Sequence, residues 1–205
     1  MVPKTHSPAA KAAHIHPFLG LLVLYVVVMT TGCTASTTER LGLPPLQPVA
    51  KVDLSRYLGT CYEIASDPQR FQKGCTGTKA TYSLRSDGEI DVFNRCRKGS
   101  LDGVEETAEG RARVVDTSTN AKLEVSFFWP FWGAYWIIDL GKNYEYAVVG
   151  HPGRDYLWIL SRTPNLEDAV FRGILDRVKA KGYTLDRLQK TPQPRAAPTS
   201  VPTGG

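Results

Sequence analysis

Between Tyr57 and Ser161, apolar and polar positions alternate with a period near two, and the alternation breaks at short intervals on turn-forming residues. The breaks fall at Asp87-Gly88, Asp102-Gly103, Asp116 to Asn120, Pro130 to Gly133, Gly141-Lys142-Asn143 and Pro152-Gly153. This spacing predicts strands near 57–65, 78–85, 89–96, 108–115, 121–128, 134–140, 144–150 and 155–161. Eight antiparallel strands in sequence order form an all-β fold that closes into an up-and-down barrel, because closure removes sticky edges. A barrel of that size can hold one small ligand. After Pro164 the period lengthens towards 3.6. Asn165 is placed to cap a helix with Leu166, Val170, Ile174, Leu175 and Val178 as its apolar stripe, and Gly182 to end it. A single stripe implies packing on the outside of the barrel.

The two ends read differently. Lys4 and Lys11 precede an apolar run from Phe18 to Met29, followed by Thr30-Thr31-Gly32-Cys33, which is the order of a secretory signal over residues 1–32. The run is too short for a spanning helix, which needs about 20 residues. Small residues before a cysteine predict a bacterial lipoprotein signal, with Cys33 lipidated, carrying palmitate, as the mature amino terminus. Thr34 lacks the aspartate associated with inner-membrane retention, so the expected location is the outer membrane of a Gram-negative cell, on the periplasmic face. Residues 33–50 read as a tether and residues 191–205, with four prolines, as a disordered tail; residues 51–190 are left as one domain.

Charge and cysteines narrow the chemistry. Losing Lys4 and Lys11, with no acidic residue before Cys33, lowers the formal charge from +5 to +3. That scattered excess does not argue for nucleic acid. Of four histidines only His151 follows the signal, in a predicted turn, and no motif builds a catalytic triad around it. Cys61, Cys75 and Cys96 show neither Cys-x-x-Cys spacing nor a histidine cluster, so no metal or other cofactor is expected. An exported protein can form disulfides, and Cys75–Cys96 is the favoured pair. A two-residue turn at Asp87-Gly88 would place Cys96 opposite Lys79, too far from Cys75 unless the chain before Thr78 bends back. Other pairings and free thiols remain open, and a free cysteine leaves both monomer and homodimer available.

Residues 127–136 hold seven aromatics and no charge. Alternation sends one of Phe127 and Phe128, and one of Tyr135 and Trp136, into the barrel. Trp129, Phe131 and Trp132 fall in the predicted turn and are placed to line a mouth or to touch a membrane or partner.

Taken together, Tyr57-Leu58-Gly59-Thr60-Cys61-Tyr62, the string Ala80 to Arg85, the run Val125 to Phe128 and the string Arg154 to Pro164 resemble the lipocalins, specifically the bacterial ones with a lipoprotein signal. The resemblance implies a non-enzymatic protein that binds, transports or stores a fatty acid, lysophospholipid or other small lipid in a calyx in the cell envelope. By similarity, Tyr82, Asn94, Trp158 and Leu160 line that calyx, and the parity of Val92 with Asn94 and of Trp158 with Leu160 agrees. Phe127 and Tyr135 are added from the aromatic run. Gly59, Cys61 and Arg162 correspond to the family's barrel floor, where a tryptophan under the arginine is usual. Cys61 in its place implies a gap and the loss of a cation–π neighbour for Arg162, with Cys61 either a small buried hydrophobe or a reactive or dimer-forming thiol. Two rival readings are an envelope scaffold docking through Trp129 to Trp132 and a lipid-modifying enzyme using His151.

Overall fold

The computed structural model describes residues 42–195. The expected signal at 1–32, the expected lipidation site Cys33, most of the expected tether and residues 196–205 lie outside them. A short helix, α1 (Leu54–Tyr57), leads into β1 (Gly59–Ser66), a 3-10 turn at Arg70–Gln72, and then β2 (Cys75–Leu84), β3 (Ile90–Lys98), β4 (Glu105–Val114), β5 (Lys122–Phe128), β6 (Phe131–Leu140), β7 (Tyr146–Gly150) and β8 (Leu157–Ser161). Helix α2 (Asp168–Ala180) and a two-residue strand β9 (Gln189–Lys190) complete the chain. Neighbours in sequence pair antiparallel, β1 closes on β2 along Gly59–Tyr62, and β9 adds to the same edge of β1 further along, at Ala65 and Ser66, opposite β8. The expected eight-stranded barrel is therefore formed, with a ninth strand that alternation over two residues could not announce.

Parity accounts for two cores. Cys61, Tyr82, Ile90, Val92, Leu123, Ile137, Val149 and Leu160 point inwards, while Ile64, Ile138, Val148, Leu157 and Ile159 point outwards beneath α2. The helix buries Phe171, Ile174 and Val178 there, and Arg177 donates to Asp139 and to the Tyr146 hydroxyl. Phe171 belongs to the stripe although the periodicity passed over it; Leu175 only borders it. Asn165 does not cap the helix. Glu167 stands at the cap without a side-chain hydrogen bond, and the Asn165 carbonyl accepts from Thr163 instead. At the other end Gly182 N donates to Lys179 O and Tyr183 N to Val178 O, a Schellman termination that places Gly182 where expected.

Most strand ends fall within three residues of expectation, and four differences carry structural consequences. Tyr57 ends α1, which is capped by Asp53 accepting from Ser55 N and Arg56 N, so β1 starts at Gly59. The tether is shorter than 33–50: Leu46 is buried under α2, Val49 N donates to Ile137 O, and Val52 N donates to Thr119 O at the barrel's closed end. The turn after β5 is confined to Trp129 and Pro130, so Phe131, Trp132 and Gly133 are already in β6. The predicted tail begins inside the fold, since Thr191 N donates to Ile64 O and Gly77 N to Pro192 O. These segments use backbone bonds and isolated apolar residues, which leave no periodic signal.

The β2–β3 hairpin carries an extra loop residue. Gly88 N donates to Arg85 O, Gly88 adopts φ +85°, and Arg85 N donates to Glu89 O, so a three-residue loop replaces the expected two-residue turn. Arg95, not Cys96, then faces Lys79, and the register slips between Thr76 and Lys79. The slip bends β2 back, bringing Cys75 Cα to 5.4 Å from Cys96 Cα, and the two form a disulfide. Cys61 is the free cysteine among the described residues.

Candidate ligand-binding site

The floor of the barrel is closed from below. Val52 and Tyr57 enter the inner core beside Cys61, Ala112, Ala121, Leu123 and Ile137. Arg162, just past β8, seals the exit by donating to four carbonyls: Thr60 O at 3.2 Å, Arg56 O at 2.8 Å, Tyr57 O at 2.7 Å and Tyr144 O at 3.3 Å. Gly59 sits beside it with φ +97°, a conformation that side chains resist, and a Cβ there would lie 3.6 Å from Arg162 Nη1. The expected loss of a ring neighbour is thus met by carbonyls, and it is Arg56 that stacks on an aromatic, Tyr144, at 4.2 Å. Burial pushes the Cys61 thiol above its usual pKa, leaving a protonated, inert side chain.

Directly above the floor three phenols form a chain. The Tyr135 hydroxyl is 2.7 Å from that of Tyr57 and 3.0 Å from that of Tyr82. Burial raises the pKa of all three, so they remain neutral. Strands β2, β5, β6 and β8 then diverge around a cavity of about 330 Å³. Its wall includes Tyr82, Asn94, Phe127, Tyr135, Trp158 and Leu160, so every ring, amide and aliphatic position expected of the calyx faces one space. Phe128 points out, 77% exposed, and Trp136 packs on the outer face with Lys122 Nζ 4.5 Å over its ring.

Polar groups gather towards the mouth. Glu63, only 6% exposed, accepts from Ser66 Oγ at 3.0 Å, from Gln72 Nε2 at 2.9 Å and from the Thr191 hydroxyl. Gln72 Oε1 accepts in turn from Trp158 Nε1 at 3.3 Å, tying the 3-10 turn to β8. Thr78 Oγ1 and Asn94 Oδ1 are buried, face the cavity and have no partner. A buried polar atom without a partner costs roughly 1–3 kcal/mol, which a ligand hydroxyl or headgroup would recover. His151 lines the rim rather than solvent alone: its Nδ1 accepts from Gly153 N and lies 3.5 Å from Asp155.

A second space of about 470 Å³ adjoins the first, sharing Phe71, Gln72, Thr78, Asn94 and Phe127. It exists because β4 pairs with β5 only over Arg111–Val114, leaving Glu105–Gly110 unpaired on that side. Sequence reasoning missed Glu63, Gln72 and Thr78. Glu63 was legible as the residue two places from Cys61 on the same strand face, whereas Gln72 sits in a loop without pattern and Thr78 in an unannounced bulge.

The architecture has many known counterparts. The family model described as a lipocalin-like domain matches residues 52–193. The chain is 39% identical over 166 residues to the outer membrane lipoprotein Blc of Escherichia coli K12, covering 81% of this chain and 91% of that protein. It is 37% identical over 170 residues to the Blc of Vibrio cholerae, covering 82% and 95%. Among solved structures, insecticyanin from the tobacco hornworm superposes with a TM-score of 0.59 at 21% identity, over 75% of this chain and 87% of that one.

Proposed function

The chain belongs to the lipocalin family, and from that premise we propose that it holds one small amphipathic lipid, a fatty acid or lysophospholipid, in the calyx and stores or carries it at the outer membrane. The observation that carries the reading is a closed-bottomed cavity walled by Phe127, Trp158 and Leu160, with unpartnered Thr78 and Asn94 near its mouth. The two adjoining spaces together fall within the roughly 300–1,000 Å³ usual for small-molecule sites. At about 0.8 kcal/mol per CH₂, a sixteen-carbon chain contributes roughly 12 kcal/mol before translational and ordering costs, enough for micromolar or tighter affinity. The polar rim sets the direction in which the lipid lies.

The names of the bacterial relatives, outer membrane lipoproteins, support anchoring through Cys33 and a periplasmic setting. No reaction is required of the site: Cys61 is a buried thiol and the tyrosines stay neutral. A titration of Trp158 fluorescence with lysophospholipid and fatty acid brominated along the chain tests the proposal. Saturable quenching that Trp158→Phe abolishes is expected; no quenching by either lipid at high micromolar concentration would remove it.

A further inference from the structure

We propose that the mouth of the barrel seats on an anionic phospholipid bilayer, with Phe71, Phe128, Trp129 and Phe131 entering the headgroup layer and the β4–β5 gap facing it. These rings are 67%, 77%, 85% and 77% exposed and come from the 3-10 turn after β1 and the tip of the β5–β6 hairpin, far apart in sequence. Scattered exposed aromatics are ordinary, but Phe71, Phe128 and Phe131 line a single groove, and Trp129 stands at its tip. Amphipathic rings favour the headgroup region of a bilayer. Trp132 is excluded from this surface because Arg113 covers its ring at 4.2 Å.

Charge selects the lipid. Arg70 and Lys73 flank Phe71 and are exposed, Arg95 lines the groove, and none of the three has a salt bridge among the described residues. Of the groove's acids, Glu106 is neutralised by Lys98 at 2.8 Å, leaving Glu109. Basic side chains beside aromatics are attracted to anionic headgroups.

The groove is continuous with the calyx through Phe71, Asn94 and Phe127. An acyl chain leaving the bilayer could therefore pass along an apolar wall into the barrel without crossing water. Docking in this sense is a loading step for the lipid site and rests on that reading, yet it stands or falls separately from it.

The test mixes the full chain with vesicles of phosphatidylcholine and phosphatidylglycerol whose acyl chains carry bromine next to the glycerol. Wild-type tryptophan emission should be quenched, and Trp129→Ser should remove that component and slow lipid pickup from vesicles about tenfold. The same variant should take up monomeric lysophospholipid from solution as wild type does. Arg70→Glu/Lys73→Glu should weaken the quenching on vesicles containing phosphatidylglycerol and leave it unchanged on phosphatidylcholine alone. Undiminished quenching or unchanged pickup in Trp129→Ser would overturn the proposal, as would a dimer in sedimentation that this variant dissolves. Quenching of Trp129 without uptake of monomeric lipid would keep the docking surface and remove the lipid site.

Discussion

Gln193→Ala tests whether the segment after β9 holds the barrel shut. Pairing of β1 with β2 ends at Tyr62 and Lys79, and beyond that point the two strands separate towards the mouth. Gln193 bridges the gap, its Nε2 donating to Glu63 O at 2.8 Å and to Thr78 O at 2.9 Å. Alanine removes both bonds and leaves two carbonyls to be resolvated. At roughly 0.5–1.5 kcal/mol per bond the loss is about 1–3 kcal/mol. The buried Gln193 Oε1 has no partner, and its removal returns part of this, leaving about 1–2 kcal/mol. For a folded body of this size about 2–4 °C accompanies each kcal/mol, so the midpoint should fall by about 2–8 °C. The assay is urea and thermal unfolding at constant m-value, paired with lipid dissociation, which should quicken because the seam borders Glu63 and Gln72. A midpoint within about 1 °C of wild type would refute the idea that the C-terminal segment is part of the barrel wall.

Other outcomes follow from the same structure. Trp158→Ala, which removes a large wall and the partner of Gln72, should lower lysophospholipid affinity by about tenfold or more in the quenching-independent displacement of a fluorescent lipid. Asn94→Leu removes the unpartnered buried oxygen and should stabilise the empty protein by about 1 kcal/mol in urea unfolding while weakening lipids with a hydroxyl-bearing headgroup. Replacing Cys75 and Cys96 by serine opens a closed loop spanning 21 residues and should cost about 3 kcal/mol in the same assay. Tyr57, Tyr82 and Tyr135 have folded pKa values raised above the ordinary value of 10.0, so their contribution is intact below pH 10 and lost as pH rises beyond it. Alkaline titration followed by tyrosinate absorbance should show these phenols ionising only with loss of the β-sheet signal.

The barrel was legible because one residue in two points inwards; the lining positions Tyr82, Asn94, Trp158 and Leu160 came from the lipocalin resemblance with parity in agreement, Phe127 and Tyr135 were added from the aromatic run, and all six wall one space. The outer face was half legible. Where α2 covers the sheet, Ile137-Ile138 and Ala147-Val148-Val149 are buried on both sides and alternation disappears. Segments outside the alternation were silent: Val49 to Val52 and β9 are held through backbone carbonyls and amides that every residue possesses, and Gln193 through one side-chain amide in a stretch without periodic pattern. Residue counts in turns were the other weak point, and one extra residue at Gly88 together with the slip after Thr76 decided how Cys75 reaches Cys96. The floor shows a different limit: a cysteine where a tryptophan was expected gave no hint that Arg162 would turn to four carbonyls.

The central claim is an occupied calyx, and native mass spectrometry of the folded body, residues 42–195, followed by organic extraction, tests it most directly. One lipid per protein, released into the organic phase and lost in a Trp158→Ala/Leu160→Asp variant that still folds, is the predicted result. A well-folded protein that is empty as isolated and stays empty after incubation with fatty acids and lysophospholipids would contradict it.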